Sequence, residues 1–295
     1  MVSVSILLTD EDGINEKLLI KTINFIKNSQ LKKIFLIGDK KKFPKLFFRV
    51  KNIKKFNFIN ISFNNSYFKY LNQITEKGIE LYKNNKILFL INMPLNKRKF
   101  FKKKFRGFTE FFSYKFDNKK NENMILYSDQ FSVCPVTTHE EIKNVDKKIN
   151  RKRILNCINN INKFYKNILK KKPNINVLGL NPHASKDFAK KNKDVMILRP
   201  LIKKLQTKIN ITGPTSSDTA FLKYKNKIYI GMYHDQVLIP FKTINKFNGI
   251  NITIGKGLIR LSPDHGPGNK SLSYNKIHNE SLVECIKFCA KYGKA

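Results

Sequence analysis

Short apolar runs, rich in Ile, Val, Leu and Phe, recur along this chain. Between them lie longer stretches in which apolar residues return every three or four positions. The runs at residues 3–8, 33–38, 58–63, 87–91, 124–127, 131–136, 175–180, 208–212, 228–230 and 250–254 read as strands, most of them bounded by Gly, Asn, Asp or Pro. Helical spacing covers residues 15–28, with Leu18, Ile20, Ile23 and Ile26 inward, and residues 66–83, 195–206 and 279–292. A further helix over 151–169 turns Ile154, Leu155, Ile158, Ile161, Tyr165 and Ile168 inward, and Asn150 is placed to cap it. Thr138 with Glu141 fits a capping box for the helix before it. Strands alternating with helices predict an α/β fold, with largely parallel sheets covered on both faces.

Polar side chains collect where the strands end. Residues 231–268 alone hold His234, Asp235, Lys242, Asn251, Arg260, Asp264 and His265, punctuated by glycines. Such placement suits chemistry presented along one sheet edge, and equally suits ordinary strand-turn-strand junctions. Of the five histidines, His139, His183 and His234 each follow a predicted strand closely. His265 lies in a Gly/Pro-rich turn and His278 just before the last helix. Ends of parallel strands meet along one edge, so the first three histidines could converge on a single ion. Three imidazoles with an open position suit Zn²⁺ or a similar divalent metal acting as a Lewis acid. A strand-end histidine also serves as a hydrogen-bonded structural residue, and spacing alone leaves both roles open.

Length and composition narrow the class. The 295 residues favour two domains over one, and 41% hydrophobic with 12% aromatic residues supply a real core. No apolar run approaches a membrane span, and the N-terminal segment reads as a first strand, so a cytoplasmic protein is expected. The formal charge of +37, from 58 Lys and Arg against 21 Asp and Glu, would suit a nucleic-acid binder. Yet the lysines are spread along the whole chain and travel with Asn, Ile and Phe, as A/T-biased codon usage would produce. The densest runs, at 40–45, 97–106 and 166–172, are short, so no specific nucleic-acid partner is expected. Cys134, Cys157, Cys285 and Cys289 form no CxxC, which points to reduced, mostly buried thiols.

Several segments together resemble the 4-hydroxythreonine-4-phosphate dehydrogenase (PdxA) family. They are Gly179-Leu-Asn-Pro-His-Ala, Met232-Tyr-His-Asp-Gln, Asn251-Ile-Thr-Ile-Gly with Ile259-Arg, and Asp264-His-Gly. Val136-Thr-Thr-His, Gly213-Pro with Asp218-Thr, and Gly107-x-Thr-Glu-Phe extend the match, in the family's order, from about residue 76 onward. The resemblance implies two α/β/α domains with the active site in a cleft between them, related in fold to isocitrate and isopropylmalate dehydrogenases. Placed on this sequence, the first domain would take residues 1–105 and 268–295 and the second 106–267. It further implies a homodimer that oxidises the secondary alcohol of 4-phosphooxy-L-threonine with NAD or NADP. The β-keto acid so formed loses CO₂ to give 3-amino-2-oxopropyl phosphate for vitamin B6 synthesis. The family's metal ligands fall on His139, His183 and His234, for a divalent ion such as Zn, Co or Mg shared across the dimer. Its substrate-binding positions fall on Thr109, Lys242, Asn251 and Arg260, with Lys242 and Asp235 as catalytic candidates. A lysine and an arginine are what a phosphorylated, carboxylate-bearing substrate calls for.

The chain also departs from the family pattern. Phe108 stands where the family's Gly-His-Thr-Glu motif has a substrate-binding histidine, and a phenylalanine cannot hydrogen-bond. The loop after Asn-Pro-His-Ala, residues 185–191, lacks the family's glycines. The family's N-terminal glycine-rich turn is reduced to Asp10-Glu-Asp-Gly-Ile-Asn-Glu, and the region around 40–70 is shortened. Two alternatives therefore stand beside the first reading. One is a dehydrogenase of a four-carbon sugar-acid phosphate; the other is a degenerate or repurposed, nucleic-acid-binding member.

Overall fold

The computed structural model describes residues 1–102, 104–117, 119, 121–188 and 191–293. Its strands, in chain order, are β1 (Val4–Leu7), β2 (Ile34–Gly38), β3 (Phe56–Asn60), β4 (Phe89–Asn92), β5 (Asn123–Tyr127), β6 (Ser132–Pro135), β7 (Ile175–Leu178), β8 (Ile211–Thr215), β9 (Ile228–Gly231), β10 (Ile250–Ile254) and β11 (Ile259–Pro263). The helices are α1 (Asn15–Asn28), α2 (Pro44–Val50), α3 (Tyr67–Lys83), α4 (Lys97–Phe101), α5 (Phe108–Phe116), α6 (Ile142–Lys148), α7 (Arg151–Phe164), α8 (Arg199–Leu205), α9 (Ser217–Ala220), α10 (His234–Asn245) and α11 (Glu280–Tyr292). The chain divides into two compact units, residues 1–120 with 247–295, and residues 121–246.

In the first unit the strands run in the order β3-β2-β1-β4-β11-β10. All pairs are parallel except the β10–β11 hairpin. Helices α3 and α5 pack Leu71, Ile74, Phe111 and Phe112 with Leu7, Ile37 and Leu90 of the strands. Ser66 starts α3 by accepting the Lys69 amide at 3.3 Å. Residues 106–120 and 247–267, placed by the motif reading in the second domain, cluster here: α5 joins this phenylalanine-rich core and β11 pairs with β4. Helix α2 carries no strong apolar period; its marks are Pro44 in the first turn, with Leu46 and Val50 one turn apart and buried.

The second unit has the order β5-β6-β9-β7-β8. Its core joins Met124, Leu126, Val133, Leu178 and Tyr229 of the sheet to Val237, Leu238 and Phe241 of α10. Asn150 caps α7 as its position suggests, accepting the Arg153 amide at 3.0 Å. The helix then widens into a π-turn over Tyr165–Leu169, which buries Leu169 and leaves Ile168 only half-buried. Helix α6 starts at Ile142, so Glu141 takes the N-cap position expected of Thr138, without a side-chain cap bond of its own. The cause is strand pairing: Val136 and Thr137 donate their amides to Gly231 and Met232 and hold the chain extended past β6. All four cysteines are buried free thiols. No helix among the described residues is long and apolar enough to cross a membrane.

Tyr70 anchors the first unit by donating its hydroxyl to the Leu8 carbonyl at 2.8 Å and accepting the Asp39 amide at 3.0 Å. Replacing Tyr70 with Phe strands two buried backbone groups. The expected outcome is a loss of about 1–3 kcal/mol in stability, read from the urea unfolding midpoint.

Candidate active site

In the second unit β6, β9, β7 and β8 are neighbours and all parallel, so their C-terminal ends share one edge. From that edge the chain delivers His139 after β6, His234 after β9, His183 after β7 and Asp218 after β8. Adjacent strands lie about 5 Å apart, and the His139 and His234 rings, from neighbouring strands, have centroids 5.9 Å apart.

Gln236 binds these ends together. Its Oε1 accepts the Met232 amide at 2.6 Å, and its Nε2 donates to the Gly179 carbonyl at 2.6 Å and to Ser217 Oγ at 2.8 Å. One side chain in the first turn of α10 thus ties β9, β7 and the start of α9. The motif containing Gln236 was visible in the sequence; its role as a tie was not.

His183 and His234 each engage a carboxylate through Nδ1, Asp187 at 2.6 Å and Asp235 at 2.5 Å. That leaves Nε2 of each ring turned to other partners, the arrangement in which a carboxylate orients a metal-binding imidazole. The hydrogen bond that His183 donates to the Asp187 carboxylate raises its pKa above the ordinary value. Asp235 and Lys242 lie seven residues apart on α10, nearly two full turns, so both project from one face of that helix. Among the described residues no group of three or more His, Cys, Asp or Glu side chains is gathered to hold a metal. The three histidines thus share an edge without being drawn onto one point, while the donor set itself, imidazoles with carboxylate-held Nδ1, fits a divalent ion.

The first unit holds the remaining expected residues as a second cluster, built on the β10–β11 hairpin, where Thr253 pairs with Arg260. Arg260 is 3% exposed. It donates Nε–H to Asn92 Oδ1, Nη1–H to Asn251 Oδ1 at 3.3 Å and Thr253 Oγ1 at 3.2 Å, and Nη2–H to Ser262 Oγ at 2.9 Å. Thr109 Oγ1 lies 3.3 Å from Thr253 Oγ1. Every hydrogen-bond partner of the guanidinium is neutral, and burial pushes its pKa down to about 9, which leaves it cationic at neutral pH. Phe108 completes this cluster: its ring centroid lies 4.9 Å from Arg260 Cζ, and it packs edge-on against Phe111 at 5.5 Å. The departure from histidine therefore produces an aromatic cover on the arginine.

Two other departures can be located. The acidic turn after β1 is an ion network, with Lys99 Nζ 3.0 Å from Asp10 and 2.5 Å from Asp12, and Tyr67 donating to Glu11 at 3.0 Å. In the glycine-poor loop, Ser185 takes the left-handed conformation at φ 57° without being glycine. Ala189 and Lys190 of that loop lie outside the described residues.

Sheet layers flanked by helices, with titratable side chains collected beyond parallel strand ends, define an α/β enzyme. Residues 7–289 match the family model described as pyridoxal phosphate biosynthetic protein PdxA. The 4-hydroxythreonine-4-phosphate dehydrogenase of Sulfurihydrogenibium sp. (strain YO3AOP1) is 32% identical over 314 residues, covering 97% of each chain. The D-threonate 4-phosphate dehydrogenase of Pectobacterium atrosepticum is 32% identical over 185 residues, 61% of this chain and 56% of that one. A crystal structure of a 4-hydroxythreonine-4-phosphate dehydrogenase from Burkholderia phymatum shares the fold at TM-score 0.77 and 23% identity, over 99% of this chain and 98% of that one. The chain belongs to the PdxA family, and the relatives named here are oxidoreductases.

The Asp187 contact makes a prediction at His183. In metal-free protein its imidazole should titrate, by proton NMR, above the ordinary histidine value of about 6.5, remaining protonated to higher pH. Asp187→Asn removes the stabilising carboxylate and should move that midpoint down; an unchanged midpoint would mean that the carboxylate does not hold the ring.

Proposed function

We propose that this protein oxidises the secondary alcohol of 4-phosphooxy-L-threonine with NAD⁺ or NADP⁺ and releases CO₂ to give 3-amino-2-oxopropyl phosphate, as a homodimer. The observation that carries the reading is Arg260, a buried cation whose hydrogen-bond partners are all neutral. The Glu110 carboxylate attracts this cation, its hydrogen bonds go to neutral oxygens, and an anionic substrate group would add a charged hydrogen-bond partner. The names and identity of the full-length relatives support the same chemistry.

His139, His183 and His234 are the residues that would hold a divalent ion, and a site completed by a second copy of the chain does not require all three to meet within one chain. A bound ion supplies Lewis-acid polarisation of the substrate hydroxyl, and the nicotinamide supplies the hydride acceptor. The protein's own side chains do the rest. Arg260, steadied by Asn251 and by Thr253, binds a carboxylate or phosphate oxygen through its remaining Nη2–H, and Thr109 adds a hydroxyl in the same cluster. Lys242, on α10 of the second unit, is a further candidate for substrate binding and catalysis. Asp235, on the same helix face, is the candidate to take the hydroxyl proton as the hydride leaves. The ketone then lies β to the carboxylate, so the C–C electron pair left by departing CO₂ is taken up as an enolate and reprotonated.

A second reading rests on the relative named D-threonate 4-phosphate dehydrogenase, whose substrate bears a hydroxyl in place of the amino group. Full-length protein should be assayed with both phosphates, both nicotinamides and Zn²⁺, Co²⁺ or Mg²⁺, following the absorbance of reduced nicotinamide. Turnover of the threonine phosphate is expected to be the faster, and His183→Ala should lower kcat/KM by roughly 10²-fold or more. Faster turnover of the threonate phosphate would move the assignment to the second reading, and no turnover in any combination would remove both.

Phe108→His separates a damaged site from a rebuilt one. The buried ring is packed on Arg260 and Phe111, so the substitution should lower kcat/KM or leave it unchanged. A gain of tenfold or more would show that Phe108 is a defect.

A further inference from the structure

The turn that presents His183 is conformationally unusual. His183, Ala184 and Ser185 have φ of 50°, 52° and 57°, three consecutive left-handed residues, none of them glycine. Side chains with a Cβ seldom adopt this conformation, and a run of three persists only where the surroundings enforce it.

The enforcement comes from one buried carboxylate. Asp194 is fully buried, and each hydrogen bond it accepts comes from this turn: from the Leu180 amide at 2.7 Å, the Asn181 amide at 3.1 Å, Asn181 Nδ2 at 3.0 Å and Ser185 Oγ at 2.6 Å. Four hydrogen bonds of this length converging on one carboxylate fix the turn's backbone and side chains to a single point. Arg199 closes the far side, donating to the carbonyls of Ala184 at 3.1 Å and Ser185 at 3.4 Å. Gly179 lets the turn approach its own strand, since a Cβ there would meet Ala184 Cα at 2.7 Å.

His183 itself stays 60% exposed on its side chain, touched at Nδ1 by Asp187. The backbone is thus held from beneath while the imidazole is left accessible. We propose that Asp194 is a positioning residue, which fixes His183 at the end of β7 by drawing the backbone of residues 180–185 onto its carboxylate. It takes over, by hydrogen bonding, the work that glycines would do by conformational freedom. The functional half of this proposal rests on the reading of His183 as a metal ligand; the structural half does not.

Two measurements on the full chain separate those halves. Amide hydrogen exchange of metal-free protein should show residues 178–186 exchanging at least tenfold faster in Asp194→Asn, with the α7 segment unchanged. Ser185→Ala, which removes one donor and is the milder change should Asp194→Asn not fold, should give a smaller acceleration in the same segment. Cobalt(II) titration, followed by its visible absorption, should show a dissociation constant raised about 10–100-fold in Asp194→Asn. Ile158→Ala, a core truncation in α7 away from the turn, should leave that constant within about threefold of wild type at comparable loss of Tm. Exchange of the turn unchanged in both Asp194→Asn and Ser185→Ala overturns the proposal. So does a cobalt affinity that falls equally in Ile158→Ala, since the effect would then be general destabilisation. If wild-type protein takes up no cobalt, the ligand reading of His183 fails, while exchange still decides whether Asp194 holds the turn.

Discussion

The parallel pairing of β6, β9, β7 and β8 is the constraint on which the rest of the site depends. Parallel strands must all end at the same edge, so residues separated by nearly a hundred positions in sequence are delivered side by side. His139, His183 and His234 share that edge, with the His139 and His234 rings adjacent, and Gln236 then fastens the ends to one another. A single hydrogen-bonding side chain at a helix start does for the edge what the sheet register does for the strands.

The other half of the chemistry rests on a different balance. Arg260 is held in place by neutral oxygens and an aromatic face, which fix its plane, while the Glu110 carboxylate attracts its charge. Phe108 fits that balance: it desolvates one face of the guanidinium and adds a cation–π contact.

Much of this was legible in the sequence, for identifiable reasons. Strands such as β1, β2, β4, β7 and β9 are buried throughout and mostly apolar because both sheet faces are covered, and such runs stand out. The three strand-end histidines followed from the same logic. What was hidden depends on contacts distant in sequence. The start of α6 after Glu141 rather than after Thr138 reflects the pairing of Thr137 with Met232, nearly a hundred residues away. The sharing of residues between the two units differs from the motif reading because β11 pairs with β4, which no local pattern encodes. The left-handed turn at 183–185 was invisible because its residues have no preference for that conformation; Asp194, nine residues beyond Ser185, imposes it.

The central claim is that the three strand-end histidines are metal ligands. Anomalous diffraction from crystals grown with Zn²⁺ tests it most directly. The account predicts one strong zinc peak per site, bonded at about 2.0–2.1 Å to imidazole nitrogens of His139, His183 and His234, drawn from one subunit or from two. A zinc peak that omits His183, or zinc held only by surface side chains elsewhere, would contradict it.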